Sequence, residues 1–220
     1  MTTERPRQWF EPTAAYQKIV LSGRGEHESW LGARRVEGAL STQDFEDLWR
    51  AKPLERAVVR IGGVVKQANR YTKNYGVAYS FSGVDHEAEP IEALPPSVSR
   101  LFAEAKEWAA AEKAEPPNQC LINWYDPSGS IGRHADDEKE LVWRAPIFSW
   151  TFGPAEREFR LTSNWPGRPG LSVLVRDGTL LIMGGCLQQT HKHEVLKKSN
   201  VVKSDPNERR INITFRAFRT

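Results

Sequence analysis

Beyond residue 118 the chain alternates. Apolar residues recur at every second position in short runs, the period of a strand with one buried face. Candidate strands are 119–125, 146–152, 157–162, 171–175, 179–183, 191–196 and 210–218. Turn residues separate them: Pro127-Ser128-Gly129, Gly153-Pro154, Pro166-Gly167, Asp177-Gly178, Gly184-Gly185 and Asp205-Pro206-Asn207. Many short strands at this spacing predict a sandwich or barrel. Upstream the period changes. Val98, Leu101, Phe102, Ala105, Trp108 and Ala109 follow the helical repeat between Pro95-Pro96-Ser97 and Pro116-Pro117. They predict one long helix packed on the sheet. A shorter helix is expected after Ser41-Thr42-Gln43-Asp44, with Phe45, Leu48 and Trp49 on one face and Pro53 as its stop. From Val58 to Gly83 the chain reads as hairpins, with Tyr71, Tyr75, Tyr79 and Phe81 set among Gly, Asn and Lys. Residues 1–56 read as an N-terminal extension with partial order, 57–118 as hairpins plus the supporting helix, and 119–220 as the β core. Residues 57–220 then form one domain. The class is mainly β with flanking helices.

Composition narrows this only a little. The 220 residues include eight Trp and nine Phe, enough large apolar side chains for a sizeable core. A net charge of +3 suits a polyanionic partner and an ordinary surface equally. The two cysteines, Cys120 and Cys186, lie far apart in apolar runs and read as small core residues. They form no CxxC pair, so a thiolate zinc site is not expected. The N-terminus has no apolar segment of the secretory kind, and no run reaches membrane-spanning length. The expectation is an intracellular protein of the nucleus or cytoplasm, not secreted, without a membrane partner and monomeric.

Chemistry enters at residues 123–138. His134 and Asp136, two apart, share a side in extended chain. His193 can add a second imidazole. Two imidazoles and one carboxylate are the facial set that suits non-haem Fe(II) with open positions. Alone, a His-x-Asp pair is common and a surface histidine beside acids explains it. The last strand is independent of it. Ile211, Ile213 and Phe215 alternate with Arg210, Asn212, Thr214 and Arg216. Two arginines on one face inside a barrel demand anions, because a buried unpaired charge is costly. A small dicarboxylate satisfies them through paired, charge-assisted hydrogen bonds. Asn123 and Tyr125 alternate onto one face of their own strand and offer further contacts.

These segments, spanning roughly Lys66 to Arg219, resemble the AlkB-like Fe(II)/2-oxoglutarate-dependent dioxygenases, in the branch that repairs alkylated nucleic acids. Asn123-Trp124-Tyr125 resembles the family's Asn-x-Tyr, and His134-Ala135-Asp136-Asp137-Glu138 its His-x-Asp-x-Glu variant. Arg157-Glu158-Phe159 resembles part of its central strand pair, and Arg210 to Arg216 its closing Arg-x-Asn-x-Thr-x-Arg strand. The resemblance implies a double-stranded β-helix, a jelly-roll core, with Fe(II), 2-oxoglutarate and dioxygen. His134, Asp136 and His193 would ligate iron. His191 rivals His193, since both share a strand face. Arg210 would pair the distal carboxylate of 2-oxoglutarate with help from Tyr125. Arg216 and Asn123 would lie near the carboxylate bound to iron, and Asn212 would support the set. The implied reaction is oxidative demethylation of 1-methyladenine or 3-methylcytosine type bases in DNA or RNA, giving formaldehyde and succinate.

For the substrate, Tyr79-Ser80-Phe81-Ser82-Gly83 resembles the family's substrate hairpin. Phe81 would stack on the base and Tyr79 would bound the pocket; both also suit a sheet core. Glu138 would accept from the exocyclic amine. Lys66 and Arg70 flank this hairpin as phosphate contacts, with Lys73, Lys192, Lys197, Lys198 and Lys203 as further candidates. The loop at 69–74 is longer than the family's. Val58-Val59-Arg60-Ile61-Gly62-Gly63 lacks the aromatic wedge of duplex-acting members, which leaves the strand state open. Two other readings remain: a 2-oxoglutarate oxygenase for a protein side chain or small molecule, and a non-catalytic nucleic-acid-binding module.

Overall fold

The computed structural model describes residues 8–61, 63–81, 83–127, 129–168, 170–198 and 205–219. The first strands are β1 (Gln8–Phe10), β2 (Gln17–Ser22) and β3 (Ser29–Arg35), followed by helix α1 (Thr42–Arg50). Then come β4 (Val58–Ile61), β5 (Val64–Gln67), β6 (Tyr71–Tyr75), β7 (Tyr79–Phe81), β8 (Val84–His86) and helix α2 (Pro96–Ala111). The remaining strands are β9 (Gln119–Tyr125), β10 (Ile131–His134), β11 (Ile147–Phe152), β12 (Arg157–Ser163), β13 (Leu171–Val175) and β14 (Thr179–Gly185). A helical turn α3 (Leu187–Thr190), β15 (His191–Val195) and β16 (Arg210–Arg216) complete the chain.

Two sheets form the core. The larger runs β2-β3-β14-β11-β16-β9-β6 and the smaller β1-β13-β12-β15-β10. Both faces of the larger sheet are covered. Ile122, Trp124, Phe148, Ile211, Ile213 and Phe215 pack with Val98, Leu101 and Phe102 of α2. The Phe102 and Phe215 rings meet edge-on at 5.3 Å. The alternate residues of β9 and β16 turn the other way and line a cavity between the sheets. A second apolar cluster closes the rest of that interface: Leu31, Ile147, Phe159, Leu161, Val173 and Leu181. Strand alternation therefore sorts β9 and β16 into an apolar helix side and a polar cavity side.

Two features differ from the sequence expectation. Residues 8–35 contribute strands to both sheets: β1 runs parallel to β13, and β3 pairs β14 over seven residues from Ser29 to Arg35. Tyr71–Tyr75 joins no hairpin but pairs β9 at the edge of the larger sheet. Hairpins are formed by β4 with β5 and by β7 with β8. Helix α1 starts at a Ser41–Asp44 capping box and is tied down by Trp124 Nε1 donating to Leu48 O at 2.8 Å. Among the described residues, no helix is long and apolar enough to cross a membrane.

Candidate active site

The antiparallel pairing of β10 with β15 sets His134 directly opposite His193. Their ring centroids are 4.2 Å apart. Asp136 follows two residues later, and His134 Nε2 lies 3.6 Å from Asp136 Oδ1. One ligand atom from each of the three falls within 4.8 Å of the others. His134 Nδ1 is 2.8 Å from Gly132 O. A carbonyl only accepts, so Nδ1 carries the proton and Nε2 keeps its lone pair for a metal. Gln188 Oε1 accepts from the Asp136 backbone N–H at 3.0 Å and holds that turn. Phe159 stacks on His193 at 5.5 Å and shields it.

Electrostatics favours the ligating forms. Burial would raise the Asp136 carboxyl, but Arg216, then His193 and His134, hold it below the usual carboxylate range. Burial, then His134, pushes His193 down to about 3 against the pull of Asp136. It is therefore neutral at physiological pH, the form that binds metal. His191 is also buried, and burial followed by Arg168 lowers it to about 4. Its Nδ1 meets Thr190 Oγ1 at 2.7 Å, and it is not in the triad.

The cavity continues from the triad along the larger sheet. Asn123, Tyr125, Arg210, Asn212, Thr214 and Arg216 all line it. Arg210 is 1% exposed, its guanidinium lies over the Tyr125 ring at 3.9 Å, and its Nε and Nη2 are buried without partners. Such a group calls for an anion, since stranded donors on a buried cation are costly. Thr72 Oγ1 donates to Asn123 Oδ1 at 2.9 Å. Asn212 Nδ2 donates to Ser149 Oγ at 2.9 Å and Trp150 O at 2.8 Å, and its Oδ1 accepts from Thr214. Asn212 is thus a brace of the cavity wall.

The second arginine sits differently from the first. Arg216 Nη1 donates to Glu138 Oε1 at 2.6 Å and Nε to Gln119 Oε1 at 3.0 Å. Its guanidinium lies 4.5 Å from the Tyr79 ring and 5.0 Å from that of Phe218. Burial raises the Glu138 carboxyl above its usual range, against the pull of Arg216, and the two groups form a buried pair. Arg216 thus holds Glu138 through one carboxylate oxygen, while Oε2 is buried without a partner. Tyr79 is 7% exposed, with His86 stacked on it at 5.1 Å and Phe218 at 5.6 Å. It anchors the β7–β8 hairpin by its faces. Phe81 belongs to β7 opposite Val84, and its side chain lies outside the described residues.

A wider depression of about 590 Å³ opens beside His134, lined by Ser80, Arg133, Asp137, Glu138, Lys139 and Lys192 among others. Lys66 is exposed and Arg70 half-buried, with its Nε unpartnered. Lys73 is engaged by Glu89 at 2.9 Å and Lys198 by Glu208. Lys203 lies outside the described residues. Gln119 and Gln188 escape a motif reading, because each acts through a contact distant in sequence.

Comparison with known proteins agrees with this geometry. The pattern of the 2OG-Fe(II) oxygenase superfamily matches residues 34–216. The chain belongs to this superfamily. It is an Fe(II)/2-oxoglutarate-dependent dioxygenase, using Fe(II), 2-oxoglutarate and dioxygen. It is 30% identical over 152 residues to the alpha-ketoglutarate-dependent dioxygenase AlkB of Escherichia coli K12, covering 65% of this chain and 68% of that protein. It is 26% identical over 209 residues to the human DNA oxidative demethylase ALKBH2, covering 90% and 70%. A third relative, the RNA replication protein of Grapevine virus A, is 36% identical over 78 residues, 36% of this chain; the match spans 4% of that protein's length. The solved structure of OsALKBH1 superposes with a TM-score of 0.57 at 20% identity, covering 84% of this chain and 97% of the other. An oxidoreductase of the 2OG-Fe(II) oxygenase family from Burkholderia pseudomallei gives 0.53 at 16%, covering 84% of each chain. At these identities the two structures speak for the jelly-roll fold with its flanking helices.

Proposed function

We propose that this dioxygenase demethylates N-alkylated bases of the 1-methyladenine and 3-methylcytosine type in DNA or RNA, releasing formaldehyde and succinate. His134, Asp136 and His193 hold Fe(II). Arg210 donates its unpartnered Nε and Nη2 to the distal carboxylate of 2-oxoglutarate, with Tyr125 beneath it. Asn123 stands toward the other end of the same acid. Bound there, Fe(II) and 2-oxoglutarate supply the oxidising chemistry, in which dioxygen hydroxylates the N-methyl carbon as the acid becomes succinate and carbon dioxide. The chain's own part is geometry: it orients the acid, keeps the ligands in their binding forms and positions the base.

Glu138 Oε2 carries the base reading. It is a buried, unpartnered carboxylate oxygen two residues from Asp136, held in place through its other oxygen by Arg216. It suits the exocyclic amine that 1-methyladenine and 3-methylcytosine share. Tyr79 contributes by fixing the hairpin that carries Phe81. Lys66, Arg70 and Lys192 lie on the substrate side as phosphate contacts. A base must be flipped or single-stranded to enter. The likeness to a DNA oxidative demethylase over 90% of the chain supports this class of substrate. The test is succinate production with methylated oligonucleotides, methylated peptides and no substrate. Stimulation by methylated DNA or RNA is expected. Stimulation by peptide alone would overturn the proposal.

A further inference from the structure

We propose that Arg157 and Glu208 form a clasp that positions Tyr125 and Arg210 for the distal carboxylate of the cosubstrate. The inner face of β12 sets the geometry. Leu161 stands opposite His193, Phe159 lines the cavity, and Arg157 is the next residue on that face. Each such step advances about 6.8 Å. Arg157 pairs in register with Val175, another cavity residue. It therefore lies at the end of the cavity away from the triad, on the Arg210 side.

Arg157 is 4% exposed and is held from several directions. Nη1 donates to Glu208 Oε2 at 2.8 Å and to Glu156 O at 2.8 Å; Nη2 donates to Pro127 O at 3.1 Å. Pro127 lies two residues after Tyr125, and Glu208 two residues before Arg210. Tyr125 and Arg210 are themselves opposed across β9 and β16. One guanidinium from the smaller sheet thus fixes the chain just beyond both members of a pair on the larger sheet. The charges fit the same role. Two buried guanidiniums near each other repel, and the Glu208 carboxylate neutralises the one that is not offered to the ligand. Arg210 is left with open donors, while Arg157 keeps only Nε without a partner. No motif marks Glu208, which ends the long stretch before β16.

The inference rests on assigning Arg210 to the distal carboxylate, so the experiment includes Arg210→Gln. Binding of 2-oxoglutarate to the Mn(II)-loaded protein is measured by calorimetry without oxygen, for wild type, Arg157→Met, Glu208→Gln and the double variant. Each single variant is expected to weaken 2-oxoglutarate binding by about tenfold, and the double variant to add little, because the two act as one unit. At saturating 2-oxoglutarate kcat stays within about twofold of wild type, as expected when only binding of the acid is lost. Preference for 2-oxoglutarate over 2-oxoadipate, one methylene longer, narrows in the clasp variants. Unchanged binding and preference in folded variants would overturn the clasp. A fall in kcat that tracks Tm, with binding unchanged, would reduce it to a strut and also overturn it. If Arg157→Met does not fold, Glu208→Gln, which keeps an acceptor in place, decides alone. Unchanged binding in Arg210→Gln overturns the carboxylate assignment. Lost binding there with intact binding in the clasp variants overturns the clasp only.

Discussion

His193 and His191 occupy the same strand and both are buried, yet their surroundings separate them. His193 faces His134 across the β10–β15 pair, whereas His191 is engaged by Thr190. His193→Ala is expected to abolish Fe(II) binding and His191→Ala to retain it, as read by metal titration. Arg210 is the other decisive residue. Two charge-assisted hydrogen bonds at about 1.5–3 kcal/mol each imply that Arg210→Gln raises KM for 2-oxoglutarate by about a hundredfold or more. Steady-state kinetics in 2-oxoglutarate checks it, and a change under tenfold would contradict the assignment. Arg216 and Glu138 behave as one buried pair. Glu138→Ala strands a guanidinium and is expected to cost roughly 3–5 kcal/mol in urea unfolding. This pairing was not legible in the sequence, where both residues point to ligands rather than to each other.

At the level of elements, alternation carried much of what could be read. Strands β9 and β13 span the residues that their periodicity marks, and α2 ends between its prolines as expected. Where apolar alternation is missing, the reading fails. Tyr71–Tyr75 sets three polar residues between two tyrosines, so its pairing with β9 depends on a partner 45 or more residues away that no local pattern reveals. Strands β1 and β2 have the same difficulty, because they lie at sheet edges and leave Trp9 and Val20 more than half exposed. The α1–sheet tie is testable. Trp124→Phe removes the hydrogen bond to Leu48 O and is expected to cost about 1 kcal/mol in chemical denaturation. The turn after β11 is stricter. Gly153 has φ +106°, and a Cβ there would come within 2.7 Å of Arg209 O. That turn packs against the backbone one residue before Arg210.

Across the whole molecule, the helices, the larger sheet and the smaller sheet stack so that both faces of β9 and β16 are buried, one apolar and one polar. A polar face inside the protein was readable from the sequence as a demand for an anion; the identity of the base was not, because it depends on side chains brought together from separate segments. The Arg157–Glu208 clasp joins the two sheets and gives the fold a pH signature. Burial would raise the Glu208 carboxyl, but Lys198 and Arg157 hold it below its ordinary 4.5. Its contribution is present above that value and is lost as the pH falls through the depressed pKa. The Tm gap between wild type and Glu208→Gln should therefore be widest near neutrality and close in acid; melts across pH check this. The central claim concerns the base itself. The most direct measurement is the intact mass of single-stranded DNA and RNA carrying one 1-methyladenine or 3-methylcytosine, after incubation with Fe(II) and 2-oxoglutarate. The account predicts loss of the methyl group to give the unmodified base, dependent on 2-oxoglutarate and absent in Asp136→Ala. Unchanged masses for all four oligonucleotides, with enzyme that still turns 2-oxoglutarate into succinate, would contradict it.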